Sequence, residues 1–129
     1  MRKAWTITSL AAILLLGLAA CGGGTPPGNV IEAYLAAVVA KDDVSSVNLS
    51  CIDWEEQARA EGAAFDANEV ALENVVCQAV EEDDSSAVVN CSGRIRFSYD
   101  GGVEEHLVLE GRNFHTVFED GEWKMCGYQ

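Results

Sequence analysis

Residues 75–91 read VVCQAVEEDDSSAVVNC, and this stretch decides the fold. Two β-prone runs flank the polar segment 81–86, which predicts two antiparallel strands joined by a hairpin. If the hairpin is centred on Asp84, residues whose numbers sum to 168 face one another, and Cys77 lies opposite Cys91. Opposed Cβ atoms approach to about 5 Å, whereas a slip of one residue would place the two side chains on opposite faces. The register therefore favours a disulfide between these cysteines.

The remaining cysteines of the predicted domain are Cys51 and Cys126. By elimination they form a second pair, which would join an N-terminal helical part to the last strand. Loop closure over 74 intervening residues is worth about 4 kcal/mol in the chain-entropy model. The alternative pairing joins Cys51 to Cys77 and Cys91 to Cys126.

The strand pattern continues beyond the hairpin with a period of two. The segments Asp100-Gly101-Gly102 and Asp120-Gly121 are typical of further hairpin turns. They predict four antiparallel strands in meander order at about 72–80, 87–99, 103–118 and 122–128. Gly111-Arg112 would bulge the long third strand and switch the parity of its buried side chains.

Helical periodicity precedes the strands. Residues 29–41 carry one broad apolar face, with Asn29 available as N-cap, and Asp42 follows that helix. A shorter helical segment is predicted at 44–51, a helix capped by Asp53 through residue 63, and a helical turn at 66–73. Helices followed by strands predict an α+β fold, with the N-terminal helices packed on one concave face of a curved four-stranded meander sheet.

The first residues have the pattern of an export signal. Arg2 and Lys3 precede an apolar run to residue 20, and Leu18-Ala19-Ala20-Cys21 resembles the lipobox of bacterial lipoproteins. The resemblance implies that residues 1–20 are removed and that Cys21 carries diacylglyceryl and palmitate chains. Residues 21–28 are rich in Gly and Pro and predict a tether, followed by a single domain at 29–129. An uncleaved anchor is the alternative, because 17 apolar residues reach the bottom of the membrane-spanning range.

Charge and compartment narrow the possible functions. Arg2 and Lys3 lie in the predicted signal, so six basic and 21 acidic residues remain from residue 21 onward. The net charge of this part is 6 − 21 = −15. Such an acidic surface disfavours nucleic-acid partners. Cysteines outside the cytosol are usually paired, so we predict that these cysteines form disulfides. We predict neither a bound metal nor a cofactor. The acidic run 81–84 could attract calcium, but its spacing favours a solvated hairpin tip.

The phrase YLAAVVAKD at 34–42 and the closing GEWKMCGY at 121–128, together with the element order, resemble the nuclear-transport-factor-2-like cone fold. The sequence is also similar to small bacterial lipoproteins that carry this fold. The resemblance implies an apolar pocket between the helices and the curved sheet. Relatives use this pocket for ketosteroid isomerisation, polyketide cyclisation or dehydration, or they use the fold for binding and homodimerisation, so the fold does not choose the function.

The leading hypothesis is a non-enzymatic, lipid-anchored domain of the cell envelope, in the outer membrane if the organism has two membranes. Its partners would be the membrane, through Cys21, and a protein or a small apolar molecule. The alternative is a pocket enzyme of the ketosteroid-isomerase or polyketide-cyclase kind, which needs a buried carboxylate and an oxyanion donor. Trp54 and Trp123 are expected to be core or pocket walls. No catalytic residue is assigned, because none of the candidates sits in a matching motif: Tyr34, Asp53, Glu56, Tyr99, His106 and His115.

Overall fold

A computed structural model describes residues 24–129 and shows the predicted α+β architecture. The predicted signal peptide, Cys21 and the first residues of the tether lie outside the described residues. Three helices and a 3₁₀ turn (Ile52–Trp54) precede five strands. The elements are α1 (Pro27–Val39), α2 (Asp43–Asn48), α3 (Glu55–Ala64), β1 (Glu69–Glu82), β2 (Ser86–Ser98), β3 (Glu104–Val108), β4 (Asn113–Glu119) and β5 (Glu122–Tyr128).

The strands form one antiparallel sheet in the order β1-β2-β4-β5, with β3 paired to the other half of β2. Cys77 pairs with Cys91, so the register expected from the hairpin is confirmed. The prediction of one long third strand is wrong, because a turn at 110–112 divides it into β3 and β4. Leu109 is buried before this turn and Phe114 after it, so the buried parity does switch there.

Three backbone irregularities lie side by side across the sheet, and we call them the bend line: Asn74 of β1, Gly93 of β2 and the segment 109–112 between β3 and β4. Asn74 has a positive φ of 53° and sits at a register shift in β1. Opposite it, Gly93 has a φ of 92°, and a Cβ at Gly93 would overlap the carbonyl oxygen of Asn74. The Leu109 N–H donates to the Gly93 carbonyl at 3.0 Å. Bulges and left-handed residues in register increase local bending, which explains the concave inner face.

Helix α1 lies on that concave face and buries the apolar stripe that its periodicity predicts. It approaches the sheet closely at Gly28, where a Cβ would overlap the carbonyl oxygen of Cys77. The Cys77 N–H donates to Glu32 Oε1 at 2.8 Å, which fixes the same crossing point. The stripe comprises Val30, Ile31, Tyr34, Leu35 and Val38.

The predicted start of α1 is wrong by two residues. The helix begins at Pro27, and Asn29 is not its cap, because a proline in the first turn has no N–H to satisfy and is preset for the helix. Pro27 and Gly28 are buried. The last two residues of the predicted tether therefore belong to the domain.

The helical segment predicted at 44–51 forms as α2, whereas two other helix predictions differ from the structure. Asp42 caps α2 by accepting from the Ser45 N–H at 3.0 Å. Asp53 does not cap α3, since it lies in the 3₁₀ turn and the helix begins at Glu55. In place of the helical turn predicted at 66–73, β1 begins at Glu69, because pairing with β2 reaches back to that residue.

The disulfide expected from the hairpin register and the one expected by elimination are both present. Cys77–Cys91 joins β1 to β2 inside the core, and Cys51–Cys126 joins the segment after α2 to β5. The Cys51 N–H donates to the Met125 carbonyl at 2.8 Å, and the Met125 N–H donates to the Leu49 carbonyl at 2.7 Å. The alternative pairing is therefore not the one formed, and the chain before α3 covers the outer edge of β5.

Two helical glycines provide a matched test of the α1–β1 contact. Alanine normally favours a helix over glycine by up to about 1 kcal/mol. A Cβ at Gly62 would meet only the end of the Asp43 side chain at 2.6 Å, which can move away, whereas at Gly28 it would meet backbone. We expect Gly28→Ala to lower the free energy of unfolding by about 1–3 kcal/mol and Gly62→Ala to leave it nearly unchanged, in urea unfolding followed by tryptophan fluorescence. Equal effects would contradict the close approach.

Candidate functional site

A cavity of about 120 Å³ lies between α1, α3 and the concave face of the sheet, beside the bend line. Its inner wall is apolar because α1 turns its stripe towards it and the strands contribute side chains of one face. Most of these wall side chains are nearly inaccessible to water. The principal apolar walls are Leu35, Val38, Ile95, Leu107, Leu109 and Phe114.

One carboxylate lines the cavity, and it is the centre of a polar cluster formed by Tyr34, Trp54, Glu61 and Tyr128. The Tyr34 hydroxyl donates to Glu61 Oε2 at 2.6 Å, and the Tyr128 hydroxyl donates to Glu61 Oε1 at 2.8 Å. Trp54 Nε1 in turn donates to the Tyr34 oxygen at 3.0 Å. The polar cluster therefore links α1, the 3₁₀ turn, α3 and β5 around both oxygens of one side chain.

The two phenols of the polar cluster have raised pKa values. Burial raises the pKa of Tyr34 far above its usual range, and the hydrogen bond to Glu61 and the charge of that carboxylate act in the same direction. The pKa of Tyr128 is raised by burial and by Glu61, while the charge of Arg112 opposes the shift. Both hydroxyls consequently remain protonated at neutral pH and serve as permanent donors to Glu61.

Arg112 supplies the positive charge of the cavity. It follows the turn that separates β3 from β4, and its backbone is held on both sides: the N–H donates to the Leu109 carbonyl at 3.2 Å, and Asn90 Nδ2 donates to the Arg112 carbonyl at 3.1 Å. The guanidinium carbon lies 5.9 Å from the centre of the Tyr128 ring. This stacking directs the guanidinium along the cavity wall.

Of the six residues considered for catalysis, only Tyr34 lines the cavity. Asp53 and Glu56 are exposed on the helical side, and His106 is exposed on β3. Tyr99 is 37% exposed and donates to Glu105 at 3.2 Å, away from the cavity. These side chains do not converge, because each lies on the solvent side of its own element.

His115 and Trp123 both lie outside this cavity. His115 is half-buried in β4 but does not line the cavity, and its Nε2 has no hydrogen-bond partner within residues 24–129. Trp123 packs edge-on against Phe118 at 5.2 Å near the β4–β5 turn, and as expected of a pocket wall it lines a separate groove together with Val30 and Leu49. Trp54 meets its expectation, since it packs against the core and joins the polar cluster.

Sequence reasoning missed Glu61, Arg112 and Tyr128. The sequence does contain a signal for Glu61. One helical stripe contains Glu61 as its only charged residue, and its other members are Trp54, Ala58 and Phe65. Arg112 and Tyr128 carried no comparable signal, because their inward orientation depends on the turn at 110–112 and on a register shift between β4 and β5.

The described residues show neither a cluster suited to a metal ion nor a membrane-spanning helix. No three His, Cys, Asp or Glu side chains within residues 24–129 are grouped to hold a metal ion. In the acidic run, Asp83 Oδ1 accepts from the backbone N–H groups of Ser85 and Ser86 at 2.8 and 2.9 Å, so this carboxylate organises the turn. None of the helices in this part of the chain is long and apolar enough to cross a bilayer.

The sequence matches no known protein family and no curated protein. Solved structures match the described domain. A SEC-C motif-containing protein from Rhodopseudomonas palustris is 16% identical, with a TM-score of 0.56 over 81% of this chain and 77% of that one. A candidate ketosteroid isomerase from Shewanella frigidimarina is 12% identical, with a TM-score of 0.56 over 81% and 93%. A candidate polyketide cyclase from Pseudomonas putida is 16% identical, with a TM-score of 0.55 over 82% and 90%.

These identities are low, so the likeness shows the fold alone. The domain has helices packed against a curved antiparallel sheet, as in the nuclear-transport-factor-2-like and cystatin-like cone proteins. The fold predicted from the sequence is confirmed on this point. The chemistry of this domain depends on the residues that line its cavity, because one fold serves many functions.

The two tyrosines of the polar cluster give a matched test of its stability. Tyr34→Phe would leave Glu61 Oε2 and Trp54 Nε1 without a partner at a site where the phenol is 1% exposed. Unpaired buried polar groups cost about 1–3 kcal/mol each, so we expect Tyr34→Phe to lower the free energy of unfolding by at least that amount. Tyr128→Phe should cost less than about 1 kcal/mol, because water can replace the hydroxyl of a residue that is 37% exposed. Urea unfolding measures both, and equal losses would contradict the cluster as described.

Proposed function

We propose that this protein is an exported lipoprotein, anchored through acyl chains on Cys21, whose cone domain binds a small apolar molecule without transforming it. The observation that carries the proposal is the apolar cavity bordered by a carboxylate whose two oxygens already accept hydrogen bonds. The chain before the domain supports the anchor, and the disulfides support the compartment. Binding is argued from the cavity.

Two disulfides support an extracytoplasmic location. Thiols in the cytosol are kept reduced, whereas paired cysteines persist in oxidising compartments. Here the pairs Cys51–Cys126 and Cys77–Cys91 account for all four cysteines of the domain. Cys21 is left without a partner inside the domain, as a lipidated cysteine would be. Several acyl chains on one residue give stable anchoring where a single chain gives only marginal binding.

The entry point of the chain determines which end of the domain would lie near the bilayer. Gly24 lies beside the β4–β5 turn, where a Cβ on it would be 3.6 Å from the Gly121 carbonyl oxygen. Cys21 precedes Gly24 by three residues, which span at most about 11 Å when extended. A lipid on Cys21 would therefore keep the β4–β5 turn close to the headgroups.

The size of the cavity favours a small ligand. An engineered apolar cavity of about 150 Å³ holds benzene in another protein, and sites for drug-sized molecules measure about 300–1,000 Å³. The present cavity, at about 120 Å³, accommodates an apolar body of about five or six carbon atoms. A steroid nucleus is several times too large for it.

The arrangement of Glu61 favours binding over catalysis. A general base must present its oxygen to a substrate proton at hydrogen-bond distance. Both oxygens of Glu61 instead accept from phenols at 2.6 and 2.8 Å, which holds the carboxylate against the cavity wall. The second candidate, a pocket enzyme of the isomerase or cyclase kind, is favoured by the same side chain, because it is the acid that lines the cavity.

Lipidation is tested by the mass and labelling of the native product. We expect the protein made in a bacterial host to begin at Cys21, to carry acyl chains and to incorporate radiolabelled palmitate. Cys21→Ser should abolish labelling, because serine has no thiol to receive the lipid. The double variant Cys51→Ala/Cys126→Ala is the control and should remain labelled. An unacylated product that begins at Met1 would contradict the anchor.

Ligand binding is tested by filling the cavity. Val38 is 3% exposed and lines the cavity, whereas Val108 is 56% exposed on β3 and points away from it. We expect benzene to shift the NMR signals of the Leu109 methyl groups in the wild-type protein and in Val108→Phe, but not in Val38→Phe, because the added ring occupies the space. Absence of any shift in the wild type would contradict binding. Turnover of a bound small molecule that Glu61→Gln abolishes would favour the enzyme.

A further inference from the structure

The Arg112 guanidinium differs from every other cation that the structure describes. Within residues 24–129, each of the other five basic side chains bonds to a carboxylate or to backbone carbonyls. Arg112 makes no salt bridge and no side-chain hydrogen bond in this part of the chain, and its one polar contact is the face of the Tyr128 ring. An uncommitted guanidinium is unexpected in a domain whose acidic residues outnumber its basic ones by 21 to 6. Its five N–H donors are therefore available to a ligand.

The other polar groups of the cavity are already engaged. The Tyr34 and Tyr128 hydroxyls donate to Glu61, and each oxygen of Glu61 accepts one of them. The remaining wall is apolar, with Leu35, Val38 and Leu109 among its buried members. Within residues 24–129, the charged group of this cavity that makes no hydrogen bond and no salt bridge is thus the Arg112 guanidinium, next to a space suited to a hydrocarbon body.

We propose that the ligand is a small monocarboxylate, with its apolar body in the cavity and its carboxylate on Arg112. This inference rests on the proposed binding function of the cavity and names the class of ligand. The planar guanidinium matches a carboxylate through two parallel N–H···O bonds, and such charge-assisted bonds are roughly twice as strong as neutral ones. The ring of Tyr128 holds the guanidinium in orientation, and the turn at 110–112 fixes its backbone.

The position of Glu61 sets the charge selectivity. Its negative charge is balanced by hydrogen bonds and not by a cation, so it repels a second carboxylate on the same ligand. Monocarboxylates are therefore preferred over dicarboxylates of the same length. An amine could approach Glu61 in place of the carboxylate on Arg112, and the experiment distinguishes the two.

The test compares ligands that share one hydrocarbon chain. Hexanoate, hexan-1-ol and hexylamine are titrated into the purified protein at pH 7, with binding measured by calorimetry and by shifts of the Leu109 methyl signals. We expect hexanoate to bind at least about tenfold more tightly than hexan-1-ol, since a hydrogen-bonded charge pair is worth that factor or more. Arg112→Gln should remove this preference by weakening the binding of hexanoate. Arg112→Lys should retain part of it, because lysine keeps the charge without the fork.

Arg59→Gln is the matched control, because Arg59 is an exposed arginine of α3 that pairs only with Glu55 and does not line the cavity. It should leave the preference for hexanoate intact. Equal binding of hexanoate and hexan-1-ol, tighter binding of hexylamine, or a preference for hexanoate that survives Arg112→Gln would overturn the assignment of a carboxylate to Arg112. If none of the three molecules binds, the proposed binding function fails together with it, and thermal unfolding of each variant verifies that the fold is kept.

Discussion

The close approach of α1 to β1 at Cys77 is the constraint on which the rest of the structure depends. This one residue contacts two other elements: its carbonyl faces the bare backbone of Gly28 and its N–H donates to Glu32, both in α1, while its sulfur joins Cys91 of β2. The helix can lie this close only because residue 28 has no side chain. Its apolar stripe is thereby placed over the concave face, and the space left between them is the cavity.

The bend of the sheet links this fold to its binding chemistry. The left-handed residues Asn74 and Gly93 face each other across β1 and β2, and the turn between β3 and β4 continues the same line. In an unbroken third strand, successive side chains would alternate between the two faces, and Arg112 would lie on the face opposite to Leu109. The turn instead switches the buried parity and sets the guanidinium at the cavity wall. The feature that curves the sheet therefore also supplies the charge that we assign to ligand binding.

Strand predictions were correct where the local sequence pattern and the tertiary packing favour the same strand arrangement. The β1–β2 register followed from one turn and two cysteines, and the pairing of Cys51 with Cys126 followed by elimination. Helix starts were less predictable. Asn29 and Asp53 are suitable caps in isolation, but Pro27 and the 3₁₀ turn at 52–54 take over the two helix starts because packing against the sheet selects them.

The sequence by itself determined the class of fold and the hairpin register, because these depend on residues that are neighbours in the chain. It favoured the disulfide pairs that form, but one alternative pairing stayed open until the tertiary structure excluded it. It could not determine the site. Glu61, Arg112 and Tyr128 lie on a helix, a turn and the last strand, and no spacing along the chain relates them. Only the tertiary structure brings them together, because the position of α3 over the sheet and the bend at 109–112 are collective results of packing. Physical proximity between distant segments is not encoded in any one of them.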